Sequence, residues 1–171
     1  MRRALAAAVL AALLCGCGYH IAGRANLLPE NIRAIAVPAF GNATGRYKLA
    51  DRLRSALTRE LISRTRYRIV ADPEQADAVF EGALINFAAY PTVTDPQTGR
   101  ASGVQAIVTV SVTLRQRSSG AVLFTQPSLE VRERYEISTD AATYFEESDT
   151  AMDRVARDVA RSVVSSLLSS F

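Results

Sequence analysis

The chain has 171 residues, 49% apolar and 22% charged, which excludes a disordered or collagen-like polypeptide and allows one ordinary domain with its own core. Its formal charge of +3 falls to +1 once Arg2 and Arg3 are assigned to a 16-residue leader, so the basic excess expected of a nucleic-acid binder is missing. At that length folding hides roughly 70% of the unfolded chain's surface, and neither a metal nor a disulfide is needed to hold the fold.

In chain order, Arg2 and Arg3 precede an apolar run from Ala4 to Leu14 and then Cys15-Gly16-Cys17. A helix over that run spans about 16 Å, half of a ~30 Å bilayer core, so residues 1–16 read as a signal peptide rather than a membrane span. Gly16 ahead of Cys17 is similar to the bacterial lipobox. That resemblance implies cleavage before Cys17, a diacylglycerol thioether on its sulfur and an N-acyl chain on its new amino group; no other cofactor is expected. Cys15 follows Leu14, is the poorer site, and leaves with the leader, so the remaining chain forms no disulfide. Gly18 in place of Asp after Cys17 implies, in lipoproteins of this type, an outer-membrane destination with the domain on the periplasmic face. An ordinary secretory signal is the competing reading.

Residues 17–31 form the lipidated N-terminus and an extended linker, and a single domain occupies residues 32–171. Ile32 to Phe40 is a short buried strand closed by Pro38, and Gly41 to Gly45 is a turn. From Tyr47 to Arg64, Leu49, Leu53, Leu57 and Leu61 repeat every four residues, which predicts a helix packed on a sheet. Tyr67 to Val70 is a short strand, Asp72 to Asp77 a turn, and Ala78 to Tyr90 a longer strand. Pro91 to Gly103 is dense in turn formers and reads as a long, exposed hairpin loop. Val104 to Leu114 then alternates: Val104, Ala106, Val108, Val110, Val112 and Leu114 on one face, Gln105, Thr109, Ser111, Thr113 and Arg115 on the other. Ser118-Ser119-Gly120 turns the chain into an antiparallel partner from Ala121 to Ile137, interrupted by a bulge or edge at Gln126-Pro127. A last helix, Asp140 to Ser169, carries ladders Val155-Val159-Val163-Leu167 and Met152-Ala156-Ala160-Val164, with Asp153–Arg157 and Arg154–Asp158 as i,i+4 pairs on its outer side. The expected fold is α+β: a two-layer sandwich with a mixed, mostly antiparallel sheet of about five strands and both helices on one face.

Catalytic chemistry is hard to find. The only His, His20, lies three residues from Cys17 where no pocket can surround it, and adjacent Glu146 and Glu147 point apart on a helix. Asp72, Glu74 and Asp77 lack a calcium-loop spacing and suit a turn. Gly41 to Arg46 joins strand to helix but lacks the Gly-Lys-Ser/Thr ending of a phosphate loop. No candidate nucleophile has a base, so the chain reads as a non-enzyme. Arg outnumbers Lys by 19 to 1, for which a GC-rich genome is the plain explanation. Arg115, Arg117, Arg132 and Arg134 go beyond it, because cross-strand neighbours would gather several planar guanidiniums suited to phosphate.

Cys17-Gly18-Tyr19-His20, Val37-Pro38-Ala39-Phe40-Gly41-Asn42 leading into Leu57-Thr58-Arg59-Glu60-Leu61, Ala76-Asp77-Ala78-Val79-Phe80-Glu81-Gly82, and an Ala-rich last helix together resemble the LptE family of lipopolysaccharide-assembly lipoproteins. The resemblance implies a domain that plugs the outer-membrane β-barrel LptD, helps it assemble, and binds lipopolysaccharide during delivery to the outer leaflet. It implies basic ligand contacts on the sheet, for which Arg115, Arg117, Arg132 and Arg134 are candidates by face and Arg100 by its place in the loop. Thr109, Ser111 and Thr113 are the candidate partner-facing residues, polar without strong charge as a barrel lumen requires. Ile35-Ala36-Val37-Pro38, Gly45 and Tyr67-Arg68-Ile69-Val70 also resemble CsgG-like and LpoB-like lipoproteins, which implies a secretion-pore subunit or a cell-wall enzyme activator instead. The Pro127 interruption and the lack of an aromatic girdle count against a pore hairpin.

Overall fold

The computed structural model describes residues 28–29, 31–136 and 144–170, with backbone alone for 144–148. The leader, Cys17, His20, the linker up to residue 27 and the Glu146 and Glu147 side chains therefore lie outside the described residues. The elements run β1 (Ala34–Ala36), β2 (Gly41–Asn42), α1 (Tyr47–Arg64), β3 (Arg68–Val70), a 3-10 turn (Pro73–Gln75), β4 (Ala78–Thr94), β5 (Ala101–Gln116), β6 (Val122–Glu136) and α2 (Tyr144–Ser169). One six-stranded sheet has the order β3-β1-β4-β5-β6, with β2 beside β4. Strand β1 is parallel to β3 and β4, β2 is parallel to β4, and the long β4-β5-β6 meander is antiparallel. The α+β sandwich matches the sequence expectation, with a sixth strand formed by Gly41 and Asn42, which the sequence suggests only as a turn.

Helix α1 buries the leucine ladder together with Ala50 and Ala56, and α2 buries both of its ladders through Leu167. These side chains join Phe80, Leu84 and the alternate residues Val104 to Leu114 in one core, which places both helices on the same face of the sheet. Thr65 ends α1 by turning extended while its hydroxyl donates to the Leu61 carbonyl at 2.6 Å. The expected i,i+4 pairs of α2 are not made. Asp153 instead accepts from Arg52 of α1 at 3.0 Å and Asp149 from the same guanidinium at 3.2 Å, while Asp158 pairs with Arg161 at 2.9 Å. Tertiary contact wins because one partly buried Arg satisfies two carboxylates across the helix–helix seam.

Two bulges set the faces. In β4 the register slips between Leu84 and Asn86, leaving Ile85 exposed and explaining apolar residues on both sides of this strand. In β6 the stretch from Gln126 to Leu129 opposes only Val112 to Val110, so the Pro127 interruption is a bulge. The expected long loop over residues 91–103 is a correction. Strand β4 continues to Thr94 and β5 starts at Ala101, because β-branched Thr92, Val93 and Thr94 favour the ladder that the turn formers Asp95 to Arg100 cannot extend. Asp95 closes this tip by accepting from the Gln97 and Thr98 amides at 2.8 Å each, and those bonds, Thr98 first, hold its carboxyl below the usual range. Gly99 supplies the positive φ.

Strand β4 has one forced glycine. The tip of the Phe40 ring lies over Gly82, and a Cβ added there would meet the ring Cζ at 2.2 Å. Gly82→Ala is therefore expected to lower stability by about 1–3 kcal/mol in a denaturant melt. Phe40→Leu in the same chain should recover part of that loss, since a shorter side chain vacates the space.

Candidate functional site: the open face of the sheet

Opposite the helices, the β4-β5-β6 meander presents an open face, while the 3-10 turn Pro73–Gln75 lies against neighbouring β1, whose Ala34 and Ala36 are buried. The rows of the open face follow from the register: Glu81 beside Thr113, Ala83 beside Ser111, Asn86 beside Thr109, and Ala88, Ile107 and Arg132 in one line across β4, β5 and β6. Thr113 and Thr125 share a hydroxyl contact of 3.1 Å across β5 and β6. The candidate partner-facing residues Thr109, Ser111 and Thr113 thus form the middle of the face, flanked by Ala83 and Thr125. Alternation also places Glu81, Glu130 and Glu136 on it with Arg115, Arg132 and Arg134, so the two charge signs balance.

The four candidate arginines do not gather on one area. Arg115 pairs with Val79 and Val122 at one end of the meander, and Arg132 pairs with Ile107, eight positions along β5. At ~3.3 Å per residue that is about 26 Å. At the first end, Arg115 donates to the Gly120 carbonyl at 2.8 Å. Arg117 leaves the face: its Nε donates to the Ala76 carbonyl at 2.8 Å and it pairs with Glu74 at 3.6 Å. At the other end Arg132 pairs with Glu130 at 2.7 Å, Arg134 stands opposite Gln105, and Arg100 lies in the tip beyond. A correct choice of face did not fix position along the strands, which only register supplies.

Several residues the sequence reading passed over shape this surface. Strand β4 contributes Glu81, Ala83, Ala88 and Tyr90, the last 56% exposed; the alternation Val79-Glu81-Ala83 was the available signal, lost at the Ile85 bulge. Glu133 was also missed: it opposes Ala106 and faces the helices. Burial pushes its carboxyl up, Asp158 adds to that, and Arg161 opposes it.

The motif Ala76-Asp77-Ala78 has a structural duty. One Asp77 carboxylate oxygen accepts from the Arg33 and Ala34 amides at 2.9 Å each, its own amide donates to the Ala34 carbonyl, and its carbonyl accepts from Arg117. These bonds tie the starts of β1 and β4 to the end of β5. Asp72 caps the 3-10 turn through the Glu74 amide at 3.0 Å, so the acidic trio serves the backbone. The Arg33 and Ala34 amides, in that order, hold the Asp77 carboxyl below its ordinary value against opposition from burial. A depressed pKa gives stability that is complete above the unfolded-state value and lost as pH falls through the folded one. Asp77→Ala should cost about 1.5 kcal/mol at pH 7, the low end for charge-assisted bonds because both partners are partly solvated. Denaturant melts of the two proteins should converge as the pH drops below about 4.

In the loop from Gly41 to Arg46, Asn42 Oδ1 accepts from the Thr44 amide and hydroxyl and the Thr44 hydroxyl accepts from the Arg46 amide, while Asn42 Nδ2 is buried without a partner. Among the described residues no cluster of His, Cys, Asp or Glu could hold a metal, and no helix is long and apolar enough to cross a membrane.

Comparison with known proteins places this geometry. The fold is similar to that of a PelC dodecamer subunit from Paraburkholderia phytofirmans, at 20% identity over 78% of this chain and 86% of that one, TM-score 0.52. It is similar to a putative lipoprotein from Caulobacter crescentus CB15, at 16% identity over 74% and 84%, TM-score 0.51. Rare lipoprotein B from Shewanella oneidensis aligns at 16% identity over 80% and 95%, TM-score 0.46. No curated protein matches the sequence. The family model for lipopolysaccharide assembly, LptE, matches residues 32–167, the whole sandwich from the start of β1 to the end of the α2 ladder. The chain belongs to the LptE family, non-enzymatic lipoproteins of lipopolysaccharide assembly.

Proposed function

We propose that this chain is an outer-membrane lipoprotein, held on the periplasmic face by acyl chains on Cys17, whose open sheet face seats inside the LptD β-barrel. It supports assembly of that barrel and binds lipopolysaccharide on its way to the outer leaflet. The observation that carries the reading is the open face itself: broad, uncovered, polar in its middle and balanced between three Glu and three Arg. A polar barrel lumen fits such a surface, whereas a free-standing lipopolysaccharide platform would show an unbalanced excess of cations. The family match gives the CsgG-like and LpoB-like readings no comparable support.

Arg100, Arg115, Arg117, Arg132 and Arg134 are the proposed lipopolysaccharide contacts, and the geometry ranks them. Arg115 and Arg117 serve the carbonyls of Gly120 and Ala76 and Arg132 serves the Glu130 carboxylate, so Arg134, opposite Gln105, leads the ranking and its end of the meander is the better phosphate site. Displacement of fluorescent lipopolysaccharide from the purified protein tests this. Arg132→Glu with Arg134→Glu should weaken binding about tenfold or more, Arg115→Glu with Arg117→Glu should do less, and binding unaltered by either pair would remove these residues from the site.

A further inference from the structure

The described chain begins at one end of the sandwich. The Leu28 amide donates to the Tyr67 hydroxyl at 3.0 Å, which fixes the incoming N-terminal segment at the start of β3. Arg66 and Arg68 flank Tyr67 in sequence, and the Arg68 amide donates to the Arg33 carbonyl at 2.9 Å. All three arginines are exposed and none forms an ion pair among the described residues; Arg68 donates one long bond, 3.5 Å, to the Gln75 carbonyl. The carboxylates nearby are engaged: Asp77 with the Arg33 and Ala34 amides, Glu74 with Arg117, Asp72 with its own turn. Ile62, 56% exposed in the last turn of α1, adds an apolar side chain close in sequence to Arg66.

We propose that this end, formed by Arg33, Arg66, Arg68 and Ile62, is a docking surface for anionic phospholipid headgroups and orients the domain on the membrane. The proposal rests on the acylated Cys17 reading. Ten residues lie between Cys17 and Leu28, a reach of at most about 40 Å, and the chain enters the domain at Leu28, beside the patch, so the anchor's tether ends on the side that carries these arginines. Exposed guanidiniums that carry no carboxylate partner, next to an exposed apolar side chain, complement phosphate headgroups over an acyl boundary. Each Arg at an anionic surface strengthens binding about fivefold, so three multiply the docked population by about a hundredfold. The hairpin tip, Asp95 to Arg100, lies at the far end of β4, remote from this patch.

The test uses the full-length protein processed by its host, with acylation read from its intact mass. Ser63→Cys carries a donor dye beside the patch, and Gln97→Cys carries it at the hairpin tip in a second preparation. Each is reconstituted into vesicles of phosphatidylcholine alone or mixed equally with phosphatidylglycerol, with an acceptor on the headgroups. Energy transfer from position 63 should rise in anionic vesicles and fall to the neutral level in high salt or with Arg33→Glu, Arg66→Glu and Arg68→Glu, while transfer from position 97 stays low. The Gln triple replacement serves if the Glu triple does not fold, as judged by its melt. Acylated protein showing equal transfer in both vesicles, or transfer indifferent to the arginines, would overturn the docking surface. A mass without acyl chains would overturn the anchor reading and the proposal with it.

Discussion

Phe80→Ala is expected to cost about 3–5 kcal/mol of unfolding free energy, enough to leave a domain of this size marginal at physiological temperature. Phe80 is among the largest fully buried side chains, stands opposite Leu114 on the helix face of β4, and belongs to the cluster that joins sheet and helices. Truncation there removes a ring the surrounding side chains can only partly replace. Ser111→Ala, on the opposite face, should fall within about 0.5 kcal/mol of the parent. Paired denaturant melts check both values, and equal losses would show that the two faces are not divided into core and surface as described.

Cys17→Ala is expected to have the second large effect. If Cys17 is the acylated residue, the variant takes up no lipid label, keeps its leader because the lipoprotein peptidase does not cut it, and lacks the mature outer-membrane form. Metabolic labelling with a fatty-acid analogue and an intact-mass measurement read this directly. Normal labelling of the variant would move the anchor elsewhere.

Periodicity made the first helix and the β5 strand legible. Leucines every fourth residue from Leu49 to Leu61 and apolar residues at every second position from Val104 to Leu114 have one structural solution each, and the burial follows both patterns. Irregularities hid the rest. The bulge at Ile85 shifts the phase of β4 midway, so no single alternation describes that strand, and its share of the open face, Glu81 to Tyr90, went unread. Pro91 sits beside turn formers in the sequence, and only the pairing of Pro91, Val93 and Thr94 with Val104, Gly103 and Ala101 shows that β4 runs on past it. Arginine placement needed register: alternation set the face of Arg115, Arg132 and Arg134, but the separation of about 26 Å between the two ends, eight positions of β5, depends on where the Ser118–Gly120 turn and the Pro127 bulge fall. The inter-helix clamp of Arg52 on Asp149 and Asp153 was likewise beyond a reading confined to one helix at a time.

The central claim is that the open face seats in a barrel. The most direct test is to tag the C-terminus, express the protein in its own host, extract the outer membrane in mild detergent and identify what copurifies in stoichiometric amount. The account predicts one large β-barrel, retained with the parent and lost with Ser111→Trp, which places a bulky ring in the middle of the face while leaving the melt unchanged. Recovery of the lipoprotein alone, recovery with a cell-wall synthase, or a barrel retained equally by Ser111→Trp would contradict it.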